Sequence, residues 1–129
     1  MIVLDACALI AYLNPTDAQH DQANEVFLQN AEEPFGISPL SLGEVLVGPT
    51  RTGNLGIMAS VLRRLRIDTI ALPPDAPMRL ASIRAATALK MPDCCALLAA
   101  EQSNASLVTF DERLAKAASE RGCAVWGRD

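Results

Sequence analysis

Several residue types that commonly build active sites are scarce or missing in this sequence. There is a single histidine, His20, and its neighbours are polar, so we expect a surface residue rather than a catalytic base or a metal ligand. The cysteines include no Cys-x-x-Cys pair, and the adjacent Cys94 and Cys95 have poor spacing for zinc. There is no Gly-rich phosphate-binding loop. These absences argue against a Ser–His–Asp or Cys–His nucleophile and against a nucleotide-phosphate cradle.

The features of exported and membrane proteins are also missing. No basic segment precedes an apolar run, and no apolar stretch is long enough to span a bilayer. We therefore expect an intracellular, cytoplasmic protein whose cysteines are reduced and serve as ordinary core thiols. Half of the 129 residues are apolar, but only 4% are aromatic. This composition predicts one domain over residues 1–129, with a core of aliphatic and alanine side chains.

Basic residues are absent from the first 50 positions, where seven acids lie. Segment 51–90 has the opposite balance, with two acids against Arg51, Arg63, Arg64, Arg66, Arg79, Arg84 and Lys90. The net charge of −4 argues against a sequence-independent nucleic-acid coat. An acidic part beside a basic part is typical of a metal-dependent site next to a polyanion track. A solvated helix surface is the simpler alternative.

Apolar runs and helical patterns alternate along the whole chain. Strands are predicted at 1–4, 34–38, 69–72, 106–110 and 124–126, and helices at 6–13, 16–31, 39–48, 55–65, 75–89, 93–104 and 112–121. Thr16 is expected to cap the second helix, and Gly48-Pro49 to end the third. The alternation predicts the α/β class with a central, mainly parallel sheet.

Four acids stand at unusual places in this pattern. Asp5 and Asp111 each follow a buried strand directly, and parallel strands bring such residues to the same edge of the sheet. Asp93 lies at a helix start, and Glu44 lies in a helix whose apolar residues go nearly all round, so that burial is expected. The simpler alternative is that Asp5, Asp93 and Asp111 are helix N-caps.

If the four carboxylates converge, they need a cation or a proton. Two carboxylates about 4 Å apart repel by roughly 4 kcal/mol at an effective dielectric constant of 20. Mg²⁺ and Mn²⁺ prefer oxygen ligands and combine a few carboxylates with water and substrate phosphate. The chemistry that suits such a cluster is therefore metal-assisted phosphoryl transfer.

The same acids lie in segments that carry a family resemblance. These segments are the strand ending in Asp5 with Ala8-Leu9-Ile10-Ala11, then Ile37-Ser38 with Glu44-Val45-Leu46, then Pro92-Asp93 with Leu97-Ala99-Ala100, and finally Leu107-Val108-Thr109-Phe110-Asp111. In this order and at this spacing, the chain resembles the PIN-domain ribonucleases, and among them the VapC-like toxins of bacterial toxin–antitoxin pairs. The resemblance covers nearly the whole chain.

This resemblance implies a three-layer α/β/α sandwich in which Asp5, Glu44, Asp93 and Asp111 meet in one pocket. It implies one or two Mg²⁺ or Mn²⁺ ions that activate water for attack on an RNA phosphodiester, with Thr109 as a supporting hydroxyl. The substrate would be a structured cellular RNA. The implied partners are a second copy of the chain in a homodimer and a small antitoxin, which assemble further into toxin–antitoxin complexes.

One position departs from the family pattern, and two other functions stay open. Cys7 stands where many relatives carry Ser or Thr, which puts a hydroxyl role there in doubt. A catalytically silent PIN-like module that binds RNA or protein is the alternative, although it would have no need of a repulsive acid cluster. A receiver-type signalling domain is disfavoured, because Ala-Cys-Ala follows Asp5 where an acidic pair would be needed.

Overall fold

A computed structural model of the chain describes residues 1–127, and over this range it contains five strands and seven helices. The strands are β1 (Ile2–Leu4), β2 (Phe35–Ile37), β3 (Ile67–Thr69), β4 (Ser106–Val108) and β5 (Val125–Trp126). The helices are α1 (Ala6–Leu13), α2 (His20–Gln29), α3 (Pro39–Arg51), α4 (Leu55–Arg64), α5 (Ala76–Thr87), α6 (Met91–Gln102) and α7 (Glu112–Glu120). The predicted alternation of strands and helices is confirmed.

The described strands form one sheet in the order β3-β2-β1-β4-β5, and every neighbouring pair is parallel. The central strand β1 is buried on both faces, because successive side chains alternate between them. Leu4 packs into a core cluster with α1 to α4, whereas Val3 packs into a second cluster with α5 to α7. The predicted α/β/α sandwich around a parallel sheet is confirmed.

The second helix begins later than predicted. Thr16 does not cap it, because segment 14–19 forms turns and α2 starts at His20. Asn14 Oδ1 accepts hydrogen bonds from the backbone N–H and the hydroxyl of Thr16, and Asp17 Oδ1 accepts one from the N–H of Gln19. Asn and Asp favour turns in this way because their side chains bond backbone groups two residues ahead.

The third helix differs from the prediction in both length and burial. It continues through Pro49 to Arg51, because a proline in the last turn removes a single helical hydrogen bond there. Ser41 and Val45 are its buried residues, while Leu40 and Val47 are 40% and 45% exposed. The expectation that this helix is buried nearly all round is therefore wrong, and it packs through one narrow face.

The third strand lies two residues before its predicted start. Ile67 to Thr69 pair with Phe35 to Ile37, and the N–H of Ile70 adds a last hydrogen bond to the Ile37 carbonyl. The apolar segment 70–72 leaves the sheet beyond this point, because β2 is only three residues long and offers no further partner. Over residues 1–127, no helix is both long and apolar enough to cross a bilayer.

Candidate active site

The carboxyl ends of the two central strands bring Asp5 and Asp111 to the same edge of the sheet. Leu4, which precedes Asp5, is paired with Val108 in the neighbouring strand β4. Both acids are also helix N-caps: the Asp5 side chain accepts from the N–H of Ala8, and Asp111 accepts from the N–H of Leu114. The capping role and the position at the sheet edge therefore coexist, because each strand turns directly into a helix.

Asp5 is almost completely buried, with 4% of its surface exposed. Its Oδ1 lies 2.7 Å from the Ala8 nitrogen, and its Oδ2 accepts a short 2.5 Å hydrogen bond from the Thr109 hydroxyl. Burial raises the pKa of Asp5 to about 6, although these two hydrogen bonds lower it. The charges of Asp93 and Asp111 also contribute to this rise, so both carboxylates act on Asp5.

Thr109 connects two of the acids. It is fully buried, donates its hydroxyl hydrogen to Asp5, and accepts the backbone N–H of Asp111 at 3.0 Å. The hydroxyl thus uses both its donor and one acceptor position. This bridge fixes the end of β4 relative to the Asp5 carboxylate and places Thr109 within the predicted site.

Asp93 lies in the first turn of α6 and is partly buried. Lys90 is the N-cap of this helix, so the alternative that Asp93 serves as the cap is wrong. Burial is the largest cause that raises the pKa of Asp93, followed by the charge of Asp111. Lys90 and Arg113 lower it, while Glu44 raises it. Asp93 therefore lies within electrostatic reach of all three other predicted acids, Asp5, Glu44 and Asp111.

Glu44 is exposed on α3, contrary to the expectation that it is buried. A buried carboxylate would need a positively charged or hydrogen-bonding partner, but an exposed one is solvated by water. Its exposure therefore removes the structural reason for expecting a partner of Glu44. Its charge nevertheless raises the pKa of both Asp93 and Cys7. Glu44 thus lies on the exposed surface of α3, within electrostatic reach of Asp93 and Cys7.

Cys7 is the residue on which all four acids act. It is exposed, so the prediction that every cysteine is an ordinary core thiol is wrong for it, whereas Cys94 and Cys95 are buried. Partial burial of its sulfur is the largest cause that raises the pKa of Cys7 to about 11, followed by the charges of Asp5, Asp93, Asp111 and Glu44. Cys7 therefore lies within electrostatic reach of four carboxylates that come from four separate segments of the chain.

The donor set is chemically suited to a hard divalent cation, because it consists of carboxylate oxygens whose charges raise the pKa of Asp5 and of Asp93. Within residues 1–127, however, no three His, Cys, Asp or Glu side chains are arranged so as to hold a metal ion. The carboxylates are thus coupled electrostatically without forming a closed coordination shell.

Two further features of this region were not predicted. His20 is partly buried rather than on the surface, and its Nδ1 lies 2.8 Å from the Ala11 carbonyl, which fixes the start of α2 against α1. A cavity of about 350 Å³ adjoins the acids and is lined by Cys7, Ile10, Asp17, Gln19, Phe110 and Asp111. The polar turn residues of segment 14–19 were the available signal, but nothing local showed that they fold back towards Asp111.

Several solved structures have a fold similar to that of this chain. One is a toxin–antitoxin complex from Klebsiella pneumoniae, at 22% identity and a TM-score of 0.72, covering 86% of this chain and 87% of the other. FitAcB from Neisseria gonorrhoeae matches at 18% identity and 0.73, covering 98% and 96%. A VapC toxin from Mycobacterium tuberculosis described as cleaving the sarcin–ricin loop matches at 19% and 0.71, covering 91% and 95%.

At such identities these structures establish the fold and not the activity. A comparison with curated protein sequences finds no significant match. The family model described as "PIN domain" matches residues 2–120, a range that includes Asp5, Glu44, Asp93, Thr109 and Asp111. The chain therefore belongs to the PIN domain family.

Proposed function

We propose that this chain, acting as a single PIN-like unit over residues 1–129, is a metal-dependent endoribonuclease. In this proposal it is the toxin of a toxin–antitoxin pair and hydrolyses phosphodiester bonds of a structured cellular RNA. The observation that supports it best is the effect of four carboxylates, from four segments of the chain, on the single position of Cys7. Sites at which several carboxylates repel one another are commonly functional, because this repulsion destabilises the fold unless a bound ligand offsets it.

In the proposed enzyme, Asp5, Glu44, Asp93 and Asp111 would hold one or two Mg²⁺ or Mn²⁺ ions. When bound, such ions supply an activated water and stabilise the charge on the departing oxygen. The protein contributes a fixed Asp5, whose carboxylate is oriented by the Ala8 N–H and the Thr109 hydroxyl. Each Asp5 oxygen accepts only one of these hydrogen bonds, so each keeps a lone pair that could bind a metal ion.

A bound metal ion would also favour the deprotonated form of the Asp5 carboxyl. Without one, burial favours the neutral form of Asp5, with a pKa of about 6. A cation beside the carboxylate favours the charged form and so releases a proton into solution. The proposed site therefore binds its metal more tightly as pH rises through this range.

The RNA substrate and the antitoxin are supported by the similar structures. The Mycobacterium tuberculosis relative is described as cleaving the sarcin–ricin loop, and VapBC2 of Rickettsia felis was solved on a DNA fragment from its promoter. We propose that this chain likewise has a small cognate antitoxin and acts in the cytoplasm. It would form a homodimer that joins larger toxin–antitoxin assemblies. The seven basic residues of segment 51–90 would attract the RNA backbone.

The decisive experiment is to map cellular RNA ends after brief induction of the intact protein, with Asp5→Asn as the inactive comparison. The wild type is expected to produce new ends at one or a few places and to arrest growth. Asp5→Asn and Asp93→Asn are expected to abolish both effects while remaining folded. An Asp21→Asn variant, which removes an exposed acid of α2, serves as the charge-matched control and should remain toxic. Equal RNA ends from the wild type and Asp5→Asn would refute the proposal.

A catalytically silent module that binds RNA or protein is the second candidate. It is favoured by the finding that, in the described range 1–127, no three candidate ligands are arranged to hold a metal ion. Such a module would bind RNA equally well with and without Mg²⁺ and would not cleave it, so that the length of the RNA would stay unchanged. Incubating purified protein with total RNA in Mg²⁺, Mn²⁺ or EDTA distinguishes the two functions.

A further inference from the structure

The cavity of about 350 Å³ is lined in part by Cys7 and by Asp111, one of the four predicted acids. The charges of the other acids act on Cys7, and the charge of Asp111 acts on Asp5 and Asp93. Its volume falls within the range of roughly 300–1,000 Å³ that is typical of small-molecule pockets. A group held in this cavity would therefore lie directly beside the residues proposed to cleave RNA.

The lining of the cavity determines what it can accept. Asp17 and Asp111 are acidic, and none of the described residues that line it is basic. A phosphate would be repelled there, whereas a group with several N–H donors and no negative charge would be attracted. Ile10 and Phe110 add apolar surface suited to a flat ring. The cavity is thus suited to a planar, donor-rich group that carries no negative charge.

Asp17 is held in place for such a contact. Its Oδ1 accepts the N–H of Gln19 at 2.8 Å, which orients the carboxylate within a partly buried turn. The carboxylate keeps acceptor capacity on both oxygens, since an ionised Asp has about four lone-pair positions. The Gln19 side chain adds an amide that can donate from its nitrogen. Two acceptors and one donor are therefore available in neighbouring positions.

We propose that this cavity is a nucleobase subsite that takes an unstacked guanine of the RNA, with Asp17 and Gln19 reading its Watson–Crick edge. Guanine presents two adjacent N–H donors beside one carbonyl oxygen, which matches a carboxylate beside an amide N–H. Adenine, cytosine and uracil lack two adjacent donors on that edge. Proteins that read single-stranded RNA recognise splayed bases in this manner. The proposal rests on the proposed ribonuclease function, for which it names a sequence preference.

The test uses a hairpin RNA library with a randomised loop, cleaved by purified wild-type protein in Mg²⁺ or Mn²⁺. We expect guanine to be enriched at one position near the cleaved bond. Asp17→Asn should reduce cleavage of guanine-containing loops by about 10- to 100-fold, as expected for the loss of a bidentate base contact. The asparagine keeps the oxygen that bonds the Gln19 N–H, so the turn is preserved. Gln19→Ala should weaken the preference through the other half of the contact.

The control is Asp21→Asn, which removes the same charge four residues away and outside the cavity lining. It should leave the base preference unchanged. If Asp17→Asn and Gln19→Ala cleave with the wild-type preference, the subsite is refuted while the ribonuclease stands. If the wild type cleaves nothing, the proposed function fails and a binding measurement decides the subsite.

That measurement is the amide NMR spectrum of the ¹⁵N-labelled protein titrated with guanosine and, separately, with adenosine. Neither probe carries a phosphate, so the acids do not repel it. Guanosine is expected to shift the amide signals of segment 17–19 and Asp111 more strongly than adenosine does, and Asp17→Asn should remove the difference. Equal responses to both nucleosides, or no response, would overturn the proposal without any reference to cleavage.

Discussion

At the scale of single residues, the environment of Asp5 determines its pKa and, through it, the pH dependence of stability. The carboxylate is buried, bonded to Ala8 and Thr109, and repelled by Asp93 and Asp111. Its pKa rises from 3.8 to about 6, so the folded protein binds more protons than the unfolded chain between roughly pH 4 and pH 6. The free energy of unfolding therefore falls as pH rises through this window.

We expect Asp5→Asn to stabilise the metal-free protein at pH 7.5 while it abolishes the proposed activity. The neutral amide removes a buried charge, and its oxygen still accepts the Ala8 N–H. The gain is at most about 3 kcal/mol, from a shift of roughly two pKa units, and it should shrink at pH 5. Urea unfolding of both proteins in EDTA at the two pH values measures it. An equal pH dependence for wild type and variant would contradict the explanation.

Thr109 gives a second prediction, because its buried hydroxyl satisfies both Asp5 and the Asp111 N–H. Thr109→Val keeps the shape but removes the hydrogen bonds to Asp5 Oδ2 and from the Asp111 N–H, which should destabilise the fold by about 1–3 kcal/mol. Thr109→Ser retains the hydroxyl and is the matched control. Urea unfolding distinguishes them: if valine and serine are equally stable, the bridge contributes nothing.

At the scale of elements, two adjacent residues of α3, Glu44 and Val45, have different environments. Val45 is 6% exposed and packs into the core, whereas the adjacent Glu44 is exposed and acts on the acids by its charge. A local pattern cannot make this distinction, since the apolar residues of α3 go nearly all round the helix while only one face is covered.

We therefore expect opposite effects from two neighbouring substitutions in α3. Glu44→Gln should leave the free energy of unfolding within about 0.5 kcal/mol of wild type, as exposed substitutions do, and should weaken Mg²⁺ or Mn²⁺ binding. Val45→Ala should lower stability by about 1–3 kcal/mol through the lost core packing and leave metal affinity unchanged. Denaturation and metal titration of both variants provide the comparison. A destabilising Glu44→Gln with intact metal binding would assign Glu44 a structural role instead.

At the scale of the whole molecule, the four acids come from segments that are far apart in sequence. A metal ion bound to them would therefore stabilise the folded state, in which these segments lie close together. A ligand that binds only the folded state stabilises it by about 2.7 kcal/mol at a hundredfold excess over Kd. Mg²⁺ or Mn²⁺ should therefore raise the Tm by several degrees at pH 7.5. The increase should be smaller at pH 5.5, where Asp5 is largely protonated.

The measurement is a thermal unfolding series over metal concentration, with Ca²⁺ and added monovalent salt as ionic-strength comparisons. The double variant Asp5→Asn/Asp93→Asn should lose the shift, and Asp21→Asn should keep it. An identical shift in the double variant would mean that the metal binds elsewhere on the acidic surface.

The sequence by itself determined the class of the fold and the edge of the sheet at which Asp5 and Asp111 lie. Both follow from local rules, because buried strands that alternate with helices pair in parallel and bring their carboxyl ends together. Helix bounds were less predictable: Pro49 did not end α3, and the turns around Asn14 and Asp17 delayed α2. Side-chain bonds to the backbone delayed the start of α2, whereas α3 continues through Pro49 because a proline in the last turn removes only one helical hydrogen bond.

Only the tertiary structure decided how each acid is exposed and which other residues join the site. Burial of Asp5, exposure of Glu44, the position of Cys7 among four charges and the cavity beside Asp17 all depend on packing between distant segments. The physical reason is that desolvation and Coulomb energy depend on distances in space, whereas a sequence gives only distances along the chain.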